Sequence, residues 1–521
     1  MPIAIVAALA SALGLWVASP SVGLGWLAWV ALVPAAVVTL RSPGSRAARL
    51  AMPLAYGVYL ELLLVPALPF GLTDGQWVDA PLAIGGSPVL AVALLAIPAF
   101  TVLLYALGFG RPWGVERLPP TLAPVAAVVV PALAWTALEV LRVKLDPGGF
   151  WGPVFLSQAD EPTAGLAALA GPWAITFAVV ATNYSIALAL TSRRALPALA
   201  AGAVALAATL AGAALTAGAG SDTAIRVAAI QPGYDTAEEN RWVLRNWEAT
   251  GWDEASLDVA RDLGELTRAA TAEGAELVVW PEATMYVDPR TEPETLGYLR
   301  RLARSTGAAI LVPFFLPEPE VSQALAVTPE GRLTGVRSKQ RAMWYLGEGQ
   351  GSTPSAEPLV VGGVPLGVML GVDTEDPAVP RLRAARGATL LVSSTHDWHA
   401  LATQQRALAS LGAAGAGVAL VRSDWRYGSA IHDPAGEVIA DAGPDLARAT
   451  VVADVALAGA TTPYVRIGDV FGWTAVALAA IALALSARGV RRGARGAPAA
   501  SAGSTGGTPQ RARTAAPARS R

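Results

Sequence analysis

The sequence predicts a multi-pass α-helical membrane bundle of about eight spans, joined to an extracytoplasmic α/β domain. Three observations predict it. Of 521 residues, 53% are hydrophobic and only 15% charged, with a mean hydropathy of +0.45, a balance typical of membrane chains. Apolar runs long enough to cross about 30 Å of hydrocarbon flank a central stretch in which short β-rich runs alternate with amphipathic patterns. Arginines gather in alternate loops between the runs, the pattern that sets orientation.

Seven spans are expected before the central stretch, over Ile3–Ser19, Gly23–Leu40, Leu50–Leu72, Pro88–Gly110, Thr121–Val143, Ala164–Thr191 and Ala195–Ala217. An eighth, Ile467–Ala487, follows it. The first run lacks the basic start of a signal peptide and is read as an uncleaved span. The basic loops carry Arg41, Arg46 and Arg49, then Arg111 and Arg117, then Arg193 and Arg194. Placing these loops in the cytoplasm puts the N-terminus inside and leads the chain out of the seventh span to the exterior. The eighth span returns it to Arg488, Arg491, Arg492 and Arg495, again on the basic side. Both termini are thus expected in the cytoplasm of a plasma-membrane protein. The expected organisation is a bundle over 1–220, an extracytoplasmic domain over 221–460, a last span over 461–488 and a disordered basic tail over 489–521. That tail is rich in Ala, Gly, Ser, Pro and Arg and has no apolar periodicity.

Within the central stretch, Ile225–Gln231, Leu277–Trp280, Ala309–Phe315, Gly367–Leu370, Thr389–Ser393 and Val418–Val421 read as strands. Ser256–Glu273 and Thr403–Ala414 read as helices between them, and this alternation argues a layered α/β fold. The chain has no cysteine, which excludes disulfides, thiolate metal sites and thiol catalysis together. Its histidines, His396, His399 and His432, make no metal-ligand spacing with carboxylates. No metal, no cofactor and no nucleic-acid partner are expected.

Three segments carry residues suited to chemistry. Glu282 ends the buried run Leu-Val-Val-Trp280-Pro281, where a desolvated carboxylate is suited to act as a general base. Lys339 ends the strand after the turn at Pro329-Glu-Gly-Arg. Gly367-Val-Met-Leu-Gly371-Val-Asp373 leads from a third strand toward Pro377 and Arg381. Glu61 lies mid-span, where an ionised carboxylate is costly; a protonated or paired side chain inside the bundle and a lipid-facing role are both open. Trp344, Tyr345 and Trp398 are candidates for substrate contact at the bilayer interface, or are simple loop anchors.

Taken in this order, the three segments resemble the carbon–nitrogen hydrolase (nitrilase) superfamily. The membrane frame narrows the resemblance to the apolipoprotein N-acyltransferases. Pro131-Ala-Leu-Ala-Trp135-Thr-Ala-Leu-Glu139-Val-Leu-Arg142 resembles that family's fifth span, followed by Gly149-Phe150-Trp151 and Leu156-Ser157-Gln158. Thr462-Pro463-Tyr464-Val-Arg466-Ile-Gly468-Asp469 resembles its entry into the last span. The resemblance implies a nitrilase-like αββα sandwich. It implies enzymes that move a phospholipid acyl chain to a cysteine and then to the N-terminal amine of a diacylglyceryl-lipoprotein, so phospholipid acyl chains, such lipoproteins and the membrane are the partners. Glu282 matches the family's general base, Lys339 its oxyanion support, and Glu348 an additional glutamate near the site.

The nucleophile does not match. Counting back without a gap from Arg386-Gly387-Ala388-Thr389 puts Gly371 at the cysteine, and the family's Cys-Tyr-Glu becomes Gly371-Val372-Asp373. Ser322 stands where an Asn is usual, and Thr395-His396-Asp397-Trp398-His399 departs from the family's Thr-Asn-Asp-Ala-Trp-Phe. Asp373, two residues on, is the nearest displaced nucleophile; Ser393, Ser394 and Thr395, with His396 or His399 as base, are others. The expectation is a homologue that has lost the thioester mechanism and binds lipid or lipoprotein, or scaffolds a membrane-enzyme partner. The alternative is an active acyltransferase or amide hydrolase using Glu282 and Lys339 with a displaced nucleophile.

Overall fold

A computed structural model describes residues 2–64, 119, 121–145, 151–192, 196–217, 220–234, 252–318, 320–342, 348–349, 356–397, 399–443, 446–459 and 461–495. The expected fourth span, the end of the third, most of the C-terminal tail, and the three aromatic candidates Trp344, Tyr345 and Trp398 lie outside them.

The bundle begins with α1 (Pro2–Ala18). The second expected span is interrupted: a 3-10 turn at Gly25–Leu27 leads into α2 (Ala28–Ala31) and α3 (Val33–Arg41). Pro34 stands in the first turn of α3, where its missing N–H costs no helical hydrogen bond. The amide of Leu32 at the break donates to Asn183 Oδ1 at 2.8 Å, which satisfies a group that bilayer could not. α4 (Arg46–Leu64) and α5 (Ala123–Leu145) follow. The sixth expected span is also divided, into α6 (Leu166–Ala170) and α7 (Pro172–Ser192), by Gly171 and Pro172. α8 (Leu196–Ala217) completes the first group. Among the described residues, two helices are both long and apolar enough to cross a membrane, Ala123–Lys144 and Pro172–Ser192. Pro2–Ala18, Gly25–Arg41, Gly202–Thr216 and Val470–Leu485 are shorter apolar helices.

The carboxylate that the bundle buries most completely is Glu139, fully enclosed on α5. It accepts hydrogen bonds from Trp135 Nε1 at 2.9 Å, the Val154 amide at 2.8 Å and Thr176 Oγ1 at 2.6 Å. It thereby joins α5, α7 and the loop between them, and an apolar core packs around that junction.

The α/β domain is two stacked six-stranded sheets. The first has the order β12-β1-β2-β3-β4-β5, formed by β1 (Gly220–Gln231), β2 (Leu277–Val279), β3 (Ala309–Leu316), β4 (Val321–Val327), β5 (Arg337–Ser338) and β12 (Ala449–Ala458). The second has the order β11-β10-β9-β8-β7-β6, formed by β6 (Leu359–Val361), β7 (Val364–Leu370), β8 (Leu390–Thr395), β9 (Leu420–Asp424), β10 (Ala430–His432) and β11 (Val438–Asp441). Alternation of side chains sorts each strand's residues into two layers. Val227, Leu277, Leu311, Val368, Val392 and Val421 fill the space between the sheets. Ala228, Val278 and Ile310 face the other way, under α9 (Trp252–Ala272) and α10 (Pro293–Thr306). Met369, Leu391 and Leu420 do the same under α11 (Ala378–Ala385) and α12 (His399–Ala416). The result is the αββα sandwich that the resemblance implied.

The chain leaves β12 through α13 (Pro463–Ile467), capped by Thr462 Oγ1, and enters α14 (Val470–Arg495). This helix runs on past Arg488 to Arg495, into the segment expected as a disordered tail, despite Gly489 and Gly493, because each residue added to a nucleated helix gains a hydrogen bond. Lys144 at the end of α5 ties bundle to sandwich, pairing with Asp376 Oδ1 at 2.7 Å and Asp469 Oδ2 at 3.0 Å.

Candidate active site

Three strand ends meet at one edge of the sandwich. Glu282 follows β2 through Trp280 and Pro281, and the next residue, Ala283, has φ +52°. That left-handed conformation costs a non-glycine residue of order 1 kcal/mol. The turn holds its place because the Glu282 amide donates to Thr395 O at 3.3 Å and the Trp425 indole donates to Glu282 O. Lys339 follows β5, its amide donating to Ser322 O at 2.9 Å. Gly371 follows β7 and opens a 3-10 turn over Gly371–Glu375.

The side chains converge. Lys339 Nζ lies 3.2 Å from Glu282 Oε1 and 3.0 Å from Glu348 Oε1, and Ser322 Oγ donates to Glu282 Oε1 at 3.0 Å. Glu282 and Lys339 are buried, at 9% and 7% exposure. Burial raises the Glu282 carboxyl, the Lys339 ammonium lowers it and the Glu348 charge raises it; the balance lies above the usual carboxylate range. Burial alone lowers Lys339, but the charges of Glu282 and Glu348 outweigh it and hold the ammonium protonated.

Gly371 sits against this cluster with φ +48°. A Cβ there would lie 2.5 Å from Glu282 Oε2 and 2.9 Å from both Glu282 Oε1 and Lys339 Nζ. A side chain at this position would therefore meet the ends of both charged groups, and only a glycine adopts this backbone without strain.

Asp373 lies in the 3-10 turn but its carboxylate is engaged elsewhere. It accepts from the amides of Gln340 at 3.0 Å, Arg341 at 2.8 Å and Leu370 at 3.2 Å. Burial still pushes its carboxyl up, against the opposing Arg383 charge and these amides. Ser394 Oγ donates to Trp280 O at 2.7 Å, and Thr395 Oγ1 to Asp424 Oδ2 at 2.9 Å. Ser393 Oγ is buried without a hydrogen-bond partner. His396 Nε2 lies 3.2 Å from Arg426 Nη2, and His432 is fully buried on β10.

Two features escaped the sequence reading. Asp397 and Arg422 form a tight buried ion pair; burial pushes the Asp397 carboxyl up to about 7, with Arg422 lowering it and Asp424 raising it. The second is a chain of charges that runs from the helical bundle toward the site: Arg341 Nη1 pairs with Asp376 Oδ2 at 2.9 Å, and Asp376 pairs with Lys144. Neither has a local spacing signal, since each joins residues from distant elements.

Comparison with known proteins finds relatives for both parts of the chain. Residues 11–185 match the apolipoprotein N-acyltransferase N-terminal domain, and residues 226–462 match the carbon–nitrogen hydrolase family. An apolipoprotein N-acyltransferase of Azotobacter vinelandii is 30% identical over 436 residues, 76% of this chain and 78% of that one. One from Geobacter metallireducens is 25% identical over 514 residues, 90% of this chain and 92% of that one. The crystal structure of an amidase from Nesterenkonia sp. is 20% identical, covers 47% of this chain and 92% of its own, and superposes with a TM-score of 0.35. The paired domain matches and the long alignment to the Azotobacter protein show that the chain belongs to the apolipoprotein N-acyltransferase family.

Proposed function

We propose that this chain is an eight-span plasma-membrane member of its family, with the sandwich on the extracytoplasmic face. In this reading it binds phospholipid and diacylglyceryl-lipoprotein without forming a thioester. It acts as a lipid- or lipoprotein-binding homologue, or as a scaffold for a membrane-enzyme partner. The observation that carries the reading is Gly371. It stands where the resemblance puts the nucleophile, a side chain there would meet the ends of Glu282 and Lys339, and the chain has no cysteine anywhere. Covalent acyl storage needs an atom to hold the acyl group, and a glycine offers none. Asp373, whose oxygens are occupied by three amides, serves here as a positioning group for the segment after Lys339.

The buried Glu282–Lys339–Glu348 cluster supports a second reading, acyl transfer by direct attack. The lipoprotein amine would attack the phospholipid ester carbonyl while Glu282 takes its proton and Lys339 holds the oxyanion. The lysophospholipid oxygen then leaves with that proton. Complementation of a strain lacking its own acyltransferase separates the readings. The binding reading expects no N-acylation; direct attack expects N-acylation that Glu282→Gln and Lys339→Ala abolish.

A further inference from the structure

A cleft of about 580 Å³, whose lining shares no residue with the Gly371 cluster, opens between α11 and the junction of α13 with α14. Arg381 and Arg466 line it, with Ile467, Val470, Trp473 and Ala477. Asp469, the acidic group beside it, is already committed: it accepts from Tyr464 Oη at 2.7 Å and Trp173 Nε1 at 3.0 Å and pairs with Lys144 at 3.0 Å. Among the described residues, neither arginine makes an ion pair. Arg466 Nε donates to Thr461 Oγ1 at 3.2 Å, while Arg381 stacks 5.9 Å from the Tyr464 ring centroid and its Nε is buried without a hydrogen-bond partner. Two guanidinium groups thus share a cleft whose one lining carboxylate, Asp469, is taken up by Lys144, Tyr464 and Trp173 rather than by either arginine, an arrangement suited to a phosphate.

The apolar half of the cleft identifies the source of that phosphate. Val470, Trp473 and Ala477 recur at helical spacing on one face of α14. Ile467, Val470 and Trp473 are each about half exposed, as are Ile481 and Leu485 further along the helix. This face is suited to acyl chains, with the tryptophan at headgroup level. We infer that the cleft binds an anionic glycerophospholipid of the surrounding leaflet, its phosphate between Arg381 and Arg466 and an acyl chain along Val470, Trp473 and Ala477. The inference rests on the reading of α14 as a membrane span.

The test uses the full-length protein, delipidated in detergent and followed by native mass spectrometry with phosphatidylglycerol or phosphatidylcholine. The wild type should bind phosphatidylglycerol preferentially, and Arg381→Ala with Arg466→Ala should weaken it about thirtyfold, the share two surface arginines contribute. Arg381→Lys with Arg466→Lys keeps the charge and should retain most of the preference. Equal phosphatidylglycerol occupancy in wild type and the double alanine variant overturns the inference. Displacement of the lipid by an equimolar amount of glycerol phosphate would assign the cleft to soluble phosphate esters and also overturn it. Brominated phosphatidylcholine vesicles check the underlying reading, because quenching should fall on Trp473→Phe. No such fall removes the span and the lipid site together. A fall without a phosphatidylglycerol preference removes the lipid site alone.

Discussion

Lys339 bridges two buried carboxylates, holding Glu282 Oε1 at 3.2 Å and Glu348 Oε1 at 3.0 Å, and this bridge lies against a residue that has no side chain. Removing the cation should therefore be costly for the fold as well as the site. Lys339→Met leaves two like charges buried together, and a broken buried pair of this kind costs about 3–5 kcal/mol near neutral pH. The sign with pH follows from the carboxyls. The Glu282 carboxyl, already raised by burial in the wild type, rises further once the Lys339 ammonium that lowers it is gone. The folded variant then binds more protons than the unfolded chain, so its deficit shrinks as pH falls and grows as pH rises. Thermal unfolding of both proteins between pH 5 and 8 measures this.

Gly371→Cys should fold and be destabilised by about 1–2 kcal/mol, the cost of a Cβ in the left-handed region. The contacts at 2.5–2.9 Å are to the ends of the flexible Glu282 and Lys339 side chains, which can rotate aside. The introduced thiol should be alkylated by iodoacetamide faster than a free cysteine, since the Lys339 cation favours the thiolate. Alkylation no faster than that of a model thiol would mean that the cluster does not act on this position.

Asp373 is expected to hold the segment after Lys339 in register. Asp373→Ala orphans the amides of Gln340, Arg341 and Leu370, a cost of about 1–3 kcal/mol. Hydrogen exchange at these amides should accelerate by about tenfold or more while the amides of β9 keep their rates. Unchanged exchange would show that the carboxylate does not position the segment.

His432 supplies a pH test remote from the site. Burial, with the Arg422 and Arg406 charges adding to it, pushes its pKa down to about 3 against the weaker opposing bond to Gly436 O. A depressed folded-state value stabilises above the unfolded pKa and is lost as pH falls, here from about 6.5 toward 3. His432→Gln removes this titration, so its stability relative to wild type should rise steadily as pH falls from 7 to 4 in thermal unfolding.

Much of this arrangement was legible in the sequence, for physical reasons. Glu282 ends a short apolar run and Lys339 the strand after a hairpin turn, and strand ends are where a layered α/β fold presents side chains; the absence of cysteine is a count. The helix breaks at Leu32 and Gly171 were less legible, because Pro34 and Pro172 are apolar and leave a hydropathy profile smooth. Glu139 carried no sign that three donors would satisfy it, since they come from its own helix, the following loop and α7. Asp373 was read as a displaced nucleophile from strand alternation, and alternation ends where the chain turns into the 3-10 segment at Gly371.

The central claim is that no acyl group is stored on this chain. Purified wild-type protein incubated with phospholipid radiolabelled in its acyl chains measures this directly, after denaturing electrophoresis and peptide mapping. No covalent label is expected on the wild type and none on Glu282→Gln. A stable adduct on the wild type, mapped to Asp373, Ser393 or Ser394 and lost in Glu282→Gln, would contradict it.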